Sequence, residues 1–343
     1  MKLSLVVPCF NEEGNIQKMY DETVRAFDGK IDDYEFVFVD DGSTDGTYHI
    51  LKKLYENQSK CDIQVLSLSR NFGKEAAIYA GISNATGDLI CLIDADLQQR
   101  PEVVLQMLEV MESDEDTDCV TAYQKVRHES RLMCCMKSVF YKIINKASKA
   151  DFKNGASDFR LMKRKVADAI IQMGEYHRFS KGIFGFVGFN TKYIPYTAEE
   201  RHSGKTKWGA RKLFSYAIDG IISFTTFPLR LATFLGLLSA FLSVIYIIAV
   251  IIEKLAFGIA VPGYATIIVL LLFLGGMQLF SLGILGEYMS KVYIQVKQRP
   301  IYILKEHLQF YEHRYYSYNR NNRYNRNLYR CDLQQIYQVE KHR

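Results

Sequence analysis

Four carboxylates stand directly after two apolar runs of this 343-residue chain. Asp40 and Asp41 follow FVFV, and Asp94 and Asp96 follow LICLI with one residue between them. Such runs predict buried strands, and parallel sheets bind ligands beyond the carboxyl ends of their strands. Carboxylates gathered there repel each other unless a cation compensates their charge. Their hard oxygens, with the amide oxygen of Gln98, suit Mg²⁺ or Mn²⁺ that also binds phosphate. A lone DxD is equally typical of a capped turn, so the surrounding motifs must decide.

The elements that would place these carboxylates alternate along the first third of the chain. Five strand-like runs are LSLVVPCF, YEFVFVDD, IQVLSLS, DLICLIDAD and CVTAY. Helical patterns fill the intervals at 12–27, 45–55, 73–83 and 101–111. Strands that are apolar throughout indicate a parallel sheet with helices on both faces. The sequence therefore predicts an α/β fold with a mostly parallel sheet.

Two long uncharged runs follow the predicted sheet. Residues 231–252 and 255–286 contain no charged side chain, and each run is long enough to cross a bilayer, which takes roughly 20 helical residues. We predict two membrane helices, about 231–252 and 264–285, within the segment 231–286. Buried helices of a large soluble protein are the alternative explanation.

Basic residues flank this hairpin on both sides, whereas only Lys254 lies within it. The positive-inside rule therefore predicts a multi-pass protein of the plasma or inner membrane, with residues 1–211 and both termini in the cytoplasm. The first residues do not resemble a secretory signal. Seven cysteines without a CxxC pair also suit a reducing compartment.

Two segments beside the hairpin have a distinct composition. Residues 212–230 are predicted as an interfacial amphipathic segment, with core packing as the alternative. Residues 287–343 are predicted as a cytosolic basic tail rich in Tyr, Asn and Arg. The net charge of +5 is modest, and no Cys/His finger or base-reading helix is present, so nucleic acid is not an expected partner. We expect the excess basic charge to face membrane lipids.

Four ordered motifs resemble glycosyltransferase family 2. They are VVPCFNEEGNI at 6–16, VDDGSTDGT at 39–47, SRNFGKEAAIYAG at 69–81 and IDADLQ at 93–98. Three later motifs are similar to the branch that transfers sugar to a polyprenyl phosphate, as in bactoprenol glucosyltransferases and dolichyl-phosphate mannose synthases. These are NGASDFRLM at 154–162, EYHRFSKGIFGFVGF at 175–189 and RHSGKTKWG at 201–209. The resemblance covers about residues 1–305 and implies a nucleotide-sugar-binding GT-A fold over residues 1–211.

The resemblance also implies which residues bind the donor. The nucleotide-sugar residues would be Pro8, Phe10, Glu12, Asp40, Asp94 and Ala95. Among them, Asp40 would contact the base, whereas Asp94 and Ala95 would lie along the diphosphate. Asp96 and Gln98 would be the ligands of Mg²⁺ or Mn²⁺, the implied cofactor.

On the acceptor side, the resemblance implies a role for one acidic and three basic residues. Asp158 matches the acidic residue near the reacting centre. The basic residues that would receive phosphate groups are Arg127, Arg201 and Lys207. A lipid phosphate is already anionic at pH 7, so Asp158 can act either as a base or as an orienting group. The chain departs from the family pattern at Thr206, which is usually serine, and at Cys134-Cys135, where a basic residue is expected.

Taken together, the resemblance implies a membrane-anchored inverting transferase. We expect it to move one hexose from a nucleotide sugar, expected to be uridine-linked, to undecaprenyl phosphate, giving a lipid-linked monosaccharide for the cell envelope. The implied partners are the nucleotide sugar, the polyprenyl phosphate and membrane lipids, and a homo-oligomer is allowed. The sugar itself stays open.

A catalytically silent GT-A membrane scaffold and a transferase for another lipid or glycan acceptor remain as alternatives. The chain lacks the GxGxxG motif of dinucleotide-binding oxidoreductases and the GxxxxGK[ST] motif of P-loop NTPases. A processive polysaccharide synthase would be expected to have a QxxRW motif and more than two spans.

Overall fold

The computed structural model describes residues 1–57, 60–124, 156–197, 222, 225–257 and 263–309. The strands are β1 (Leu3–Cys9), β2 (Tyr34–Asp40), β3 (Asp62–Leu68), β4 (Leu89–Leu92), β5 (Cys119–Gln124), β6 (Ala156–Lys163), β7 (Thr191–Tyr196) and β8 (Leu304–Leu308). The helices are α1 (Ile16–Phe27), α2 (Thr47–Glu56), α3 (Lys74–Asn84), α4 (Glu102–Glu112), α5 (Arg164–Gln172), α6 (Ser180–Phe186), α7 (Phe227–Phe257) and α8 (Tyr264–Val296).

The described strands form one sheet in the order β7-β5-β6-β4-β1-β2-β3-β8. β1 pairs in parallel with β2 and β4, and β2 pairs in parallel with β3. The carboxyl ends of these four strands therefore share one edge. Antiparallel β6 and β8 flank this parallel centre. The predicted α/β fold with a mostly parallel sheet is confirmed.

Helices cover both faces of the sheet, which explains why its central strands are apolar throughout. Because successive side chains of a strand point to opposite faces, Leu5 and Val7 of β1 pack in one cluster with α1, α2 and α4. Val6 belongs to the opposite cluster, with α3 and α5. A strand buried on both faces cannot alternate between apolar and polar residues.

The five predicted strand runs appear as β1–β5, and the four predicted helices appear as α1–α4. Three further strands were not predicted. β6 was not predicted because its sequence includes the charged residues Asp158 and Arg160. The strand nevertheless buries Arg160, whose guanidinium lies over the ring of Phe184, 3.4 Å from its centroid. β7 contains Pro195, which a strand tolerates at the edge of a sheet.

The two predicted apolar helices are also present, as α7 and α8, with 31 and 33 residues. At 1.5 Å per residue each is about 45–50 Å long, more than the hydrocarbon thickness of about 30 Å. Their apolar side chains are exposed, for example Leu237 at 72% and Leu272 at 71%. Both helices include windows apolar enough to cross a membrane, at Phe227–Glu253 and Val269–Val296. Such exposure argues against the alternative of buried core helices and indicates a membrane-associated hairpin.

The chain returns to the sheet after α8. β8 pairs antiparallel with β3, with Leu66 opposite His307 and Ser67 opposite Glu306. This strand lies within the segment that was predicted as a tail. Its sequence, LKEHL, has no apolar run, so only its partner strand identifies it.

Candidate active site

The site lies at the edge where β1, β2 and β4 end. Cys9 is opposite Asp40 in the β1–β2 register, and the Asp41 amide donates to the Cys9 carbonyl at 2.9 Å. Burial raises the pKa of the Cys9 thiol well above its usual value, and the carboxylates of Asp40, Glu12 and Asp94 raise it further. The predicted carboxylates therefore do share one edge, and they make it electronegative.

Asp40 and Asp41 are both buried and serve to hold the surrounding loops. Asp40 accepts hydrogen bonds from the Ser43 amide at 3.1 Å and the Ser67 hydroxyl at 3.3 Å. Asp41 accepts from the amides of Phe72 and Gly73 at 2.7 and 2.9 Å. Burial raises the pKa of Asp41, and Asp40 adds to this effect, whereas the two amides oppose it. Asp41 thus fixes the loop that leads into α3.

A glycine allows this loop to approach β2 closely. Gly42 has a left-handed φ of +64°, and a Cβ atom there would lie only 2.4 Å from the carbonyl carbon of Arg70. Any other residue would therefore push the loop outward. Gly42 and Asp41 together determine where α3 begins, and α3 begins at Lys74.

Lys74 joins two carboxylates that come from different strands. Its ammonium nitrogen lies 2.6 Å from Asp94 Oδ1 and 3.4 Å from Asp158 Oδ2. Burial alone would lower the pKa of Lys74, but the charges of Asp94 and Asp158 outweigh it and raise the pKa above its usual value. The lysine is therefore fully charged and supplies part of the compensating charge that the sequence predicts for a metal ion.

The position of Asp158 follows from the pairing of β6 with β4. Leu92 of β4 is opposite Arg160 of the antiparallel β6. In this antiparallel pairing, the residue two positions after Leu92 faces the residue two positions before Arg160. Asp94 therefore lies beside Asp158 at the edge of the sheet. The structure thus brings a residue predicted near the reacting centre beside one predicted along the diphosphate.

Glu75 follows Lys74 and extends the cluster toward α6. Its carboxylate accepts hydrogen bonds from both the amide of Ser180, at 2.9 Å, and the hydroxyl of Ser180. Burial raises the pKa of Glu75, and the charge of Asp158 raises it further. The first turn of α3 is therefore connected to β4, β6 and α6 at once.

The turn after β4 holds the predicted metal ligands. The side-chain amide of Gln99 donates to Asp94 Oδ2 at 3.1 Å, and the backbone N–H of Gln98 donates to Asp96 Oδ1 at 3.2 Å. Ala95 is buried, whereas Asp96 and Gln98 are partly exposed. Leu97 adopts a φ of +61°, which is unusual for leucine and occurs often at functional sites.

In their chemistry, these residues fit a divalent ion that binds phosphate. Asp96 and Gln98 provide hard oxygens, and Mg²⁺ is usually held by one or two carboxylates together with substrate phosphates. Among the described residues, no group of three Asp, Glu, His or Cys side chains could hold a metal ion by itself. An ion at this turn would need the diphosphate as a further ligand.

The remaining predicted donor residues lie at the end of β1 and in the loop that follows it. Pro8 and Phe10 flank buried Cys9, and both are partly exposed. The Glu12 amide donates to the Thr47 hydroxyl at 2.8 Å, and Glu12 accepts from the Asn15 side chain at 2.6 Å. These contacts tie the loops after β1 and β2 together around the edge.

The predicted acceptor residues Arg127, Arg201 and Lys207 lie outside the described residues, so their roles stay predictions. Lys74 is the residue that sequence reasoning missed, although it stands in a quoted motif. A signal was present, because a lysine in the first turn of a helix is opposed by the helix dipole. Its position there calls for another reason, which the two carboxylates provide.

Comparisons with known proteins identify the family of this chain. Residues 4–171 match the family described as Glycosyl transferase family 2, and residues 227–292 match the GtrB C-terminal hairpin. A prophage bactoprenol glucosyl transferase homolog of Escherichia coli K12 is 43% identical over 307 residues, which are 89% of this chain and 99% of that protein. The putative glycosyltransferase CsbB of Bacillus subtilis strain 168 is 41% identical over 304 residues, which are 89% of this chain and 91% of that protein.

Among solved structures, glucosyl-3-phosphoglycerate synthase of Mycobacterium tuberculosis, crystallised with Mn²⁺ and uridine-diphosphate-glucose, has a TM-score of 0.43. It is 18% identical, and the match covers 64% of this chain and 77% of that one. The family model and the two relatives together make this chain a glycosyltransferase. On the strength of the two relatives, the chain belongs to glycosyl transferase family 2, and it carries the C-terminal hairpin as well.

Proposed function

We propose that this glycosyltransferase moves one hexose from a nucleotide sugar, uridine-linked in our expectation, to undecaprenyl phosphate, with inversion at the sugar. The observation that carries the proposal is the Lys74 contact, which joins Asp94 to Asp158 at the edge of a sheet whose chain continues into an apolar hairpin. The names of the bactoprenol glucosyl transferases among its relatives support a polyprenyl acceptor.

In this proposal the donor lies along the turn after β4. Asp96 and Gln98 would hold Mg²⁺ or Mn²⁺, and when bound the ion would stabilise the negative charge that develops on the leaving diphosphate. Asp94 is held in place by Lys74 and Gln99, so its carboxylate can accept a hydrogen bond from a hydroxyl of the nucleotide sugar. Pro8, Phe10, Glu12 and Asp40 would shape the nucleotide pocket.

Lys74 and Asp158 would act where donor and acceptor meet. An ammonium group has three N–H donors, and Asp94 and Asp158 occupy two of them, so a third can reach a phosphate oxygen. The acceptor phosphate is already ionised, so Asp158 would orient it or the sugar rather than remove a proton. Arg127, Arg201 and Lys207 would bind the lipid phosphate, since two anions must approach each other.

The membrane arrangement is also part of the proposal. Residues 1–211 would form the cytoplasmic catalytic domain, 212–230 an interfacial segment, 231–286 the hairpin and 287–343 the cytoplasmic tail. Both termini would face the cytoplasm in the plasma or inner membrane, because basic residues flank the hairpin on both sides. A tag in the turn between the helices should then be accessible only from outside.

The direct test supplies the purified full-length protein, in vesicles with undecaprenyl phosphate and Mg²⁺, with a panel of nucleotide sugars. Mass spectrometry of the lipids should show the addition of one hexosyl unit from at least one uridine-linked donor. A protein that binds nucleotide sugar but yields no glycosylated lipid from any donor would instead be the silent scaffold, and the proposal would be wrong.

A further inference from the structure

One side chain near the end of α8 contacts the catalytic domain in two directions. The Gln295 amide oxygen accepts a hydrogen bond from the Tyr176 backbone N–H at 2.9 Å. The amide nitrogen of the same side chain donates to the Gly174 carbonyl at 2.9 Å. Gln295 therefore satisfies both a donor and an acceptor of the segment between α5 and α6.

That segment leads directly to the active site. The guanidinium of Arg178 donates to the Met173 carbonyl and lies 4.3 Å from the ring centroid of Tyr79 on α3. Two residues later, the amide and hydroxyl of Ser180 donate to Glu75. Glu75 adjoins Lys74, so a short, hydrogen-bonded path connects the membrane helix with the Asp94–Lys74–Asp158 contact.

A second path reaches α3 from the chain that follows α8. The ring of Tyr302 lies 6.2 Å from that of Tyr79, and the Asn84 side chain donates to the Tyr302 hydroxyl at 3.4 Å. The Ser69 amide donates to the Ile303 carbonyl at 2.9 Å, just before the loop that leads into α3. Helix α3 is thus held on two sides by the chain emerging from the membrane.

The position of Gln295 along α8 determines how far this contact lies from the membrane. The apolar window Val269–Val296 is about 42 Å long, which exceeds the hydrocarbon core of about 30 Å. Its uncharged part ends at Gly286 and is followed by Glu287, so Gln295, nine residues further on, lies about 13 Å beyond the core. A hydrogen-bonded contact at that distance fixes how far the catalytic edge stands from the bilayer. A lipid phosphate anchored in the bilayer can react only if that distance is right.

We propose that Gln295 is a positioning residue, which sets the height of the Lys74–Asp158 site above the membrane and so admits a bilayer-anchored acceptor. The inference rests on the proposed function, because it takes the acceptor to be a membrane lipid. Gln295 does not touch the reacting groups, and it acts through the segment from Gly174 to Ser180.

The test compares Gln295→Met, which keeps the length of the side chain but neither hydrogen bond, with Gln106→Met at an exposed position of α4. With undecaprenyl phosphate in vesicles, kcat/KM for the lipid should fall about 5- to 30-fold in Gln295→Met, the scale of one or two lost contacts. With a water-soluble short-chain polyprenyl phosphate, the kcat/KM of the same variant should stay within about 2-fold of wild type. The variant lacks only two neutral hydrogen bonds, and both are far from the nucleotide-sugar site. Nucleotide-sugar affinity should also be unchanged.

The outcomes separate two failures. Equal losses with both acceptors, or weaker nucleotide-sugar binding, would mean that Gln295 merely stabilises the fold, and the inference would be wrong. Gln295→Met with wild-type kinetics in vesicles would overturn it equally. If wild-type protein glycosylates neither acceptor, the proposed function itself fails.

Discussion

Carboxylates lie at both ends of the parallel strands, but they differ in burial and in their hydrogen-bond partners. At the amino end, Glu35 is only 1% exposed. Its oxygens accept hydrogen bonds from the Ser4 hydroxyl at 2.5 Å, the Thr86 amide at 2.6 Å and the Gln64 side chain at 3.1 Å, and Lys2 lies 3.3 Å away. Burial would raise the pKa of Glu35, but the hydrogen bonds of Ser4 and Thr86 outweigh it and lower the pKa.

At the carboxyl end, Asp94 and Asp158 share a single lysine. Their side chains are 30% and 22% exposed, and Lys74 is 43% exposed. Beside them, burial and the charge of Asp158 raise the pKa of Glu75. The amino-end cluster thus satisfies its charge with protein groups in a buried position, whereas the carboxyl-end cluster keeps its carboxylates in contact with solvent. The first arrangement stabilises a fold, and the second suits cationic ligands and phosphates that bring metal with them.

The sharpest way to break this comparison is Glu35→Ala. The change leaves the Ser4 hydroxyl, the Gln64 side chain and the Thr86 amide without their shared acceptor, whereas Lys2 keeps Asp62 at 2.7 Å. The free energy of unfolding should therefore fall by about 2–4 kcal/mol, the cost of leaving buried hydrogen-bonding groups unpaired. Chemical denaturation of the detergent-solubilised protein measures this loss. Nucleotide-sugar affinity of the folded fraction should not change. A loss well under 1 kcal/mol would show that the amino-end cluster is not structural.

At the other end, the largest effect is expected from Asp96→Ala. If Asp96 helps to hold a divalent ion on the diphosphate, kcat should fall at least about 100-fold, the scale of removing a principal charge stabiliser. Unfolding should be little affected, because Asp96 lies in a partly exposed turn. Chelation of wild-type protein should abolish transfer, and Mg²⁺ or Mn²⁺ should restore it. Undiminished transfer in excess chelator would refute the metal assignment.

Lys74→Met tests whether the carboxyl-end cluster serves activity, whereas the amino-end cluster serves stability. The variant loses a charge-assisted contact on each of two carboxylates, so kcat/KM should fall about 10- to 150-fold. The free energy of unfolding should change by less than about 1 kcal/mol, because the three side chains are partly open to solvent and ion pairs in contact with water contribute little. Lys74→Arg, which keeps the charge, should retain more activity. Should Lys74→Met lose stability rather than activity, both clusters would be structural.

The smallest expected effect is in the pH dependence of stability. The folded pKa of Glu35 is lowered, so its contribution is fully present above the unfolded value of about 4.3 and is lost as pH falls through the folded value. Glu35→Gln should therefore differ most from wild type above that pH, and the two should converge in more acidic buffer. Unfolding curves between neutral and acidic pH measure the difference. A gap that stays constant over this range would contradict the lowered pKa.

Sequence alone predicted the parts of the molecule that depend on local pattern. The apolar runs of β1–β4 and the uncharged runs of α7 and α8 follow from burial in protein or lipid, which leaves a direct trace in composition. Asp94 and Asp158 could be named from motifs, yet their meeting depends on the β4–β6 register, which brings together residues 64 positions apart. The Lys74 contact depends on the same register. β8 is recognisable only from its partner β3.

The pairing of β8 with β3 also bears on how the protein is made. The ribosome completes the catalytic sheet only after it has synthesised both apolar helices, because β8 comes last among the strands that the structure describes. Until then the β3 edge offers unpaired N–H and C=O groups to any passing strand. Synthesis of the apolar hairpin therefore precedes closure of the sheet, so maturation of the catalytic domain waits for the segment that is proposed to reach the bilayer.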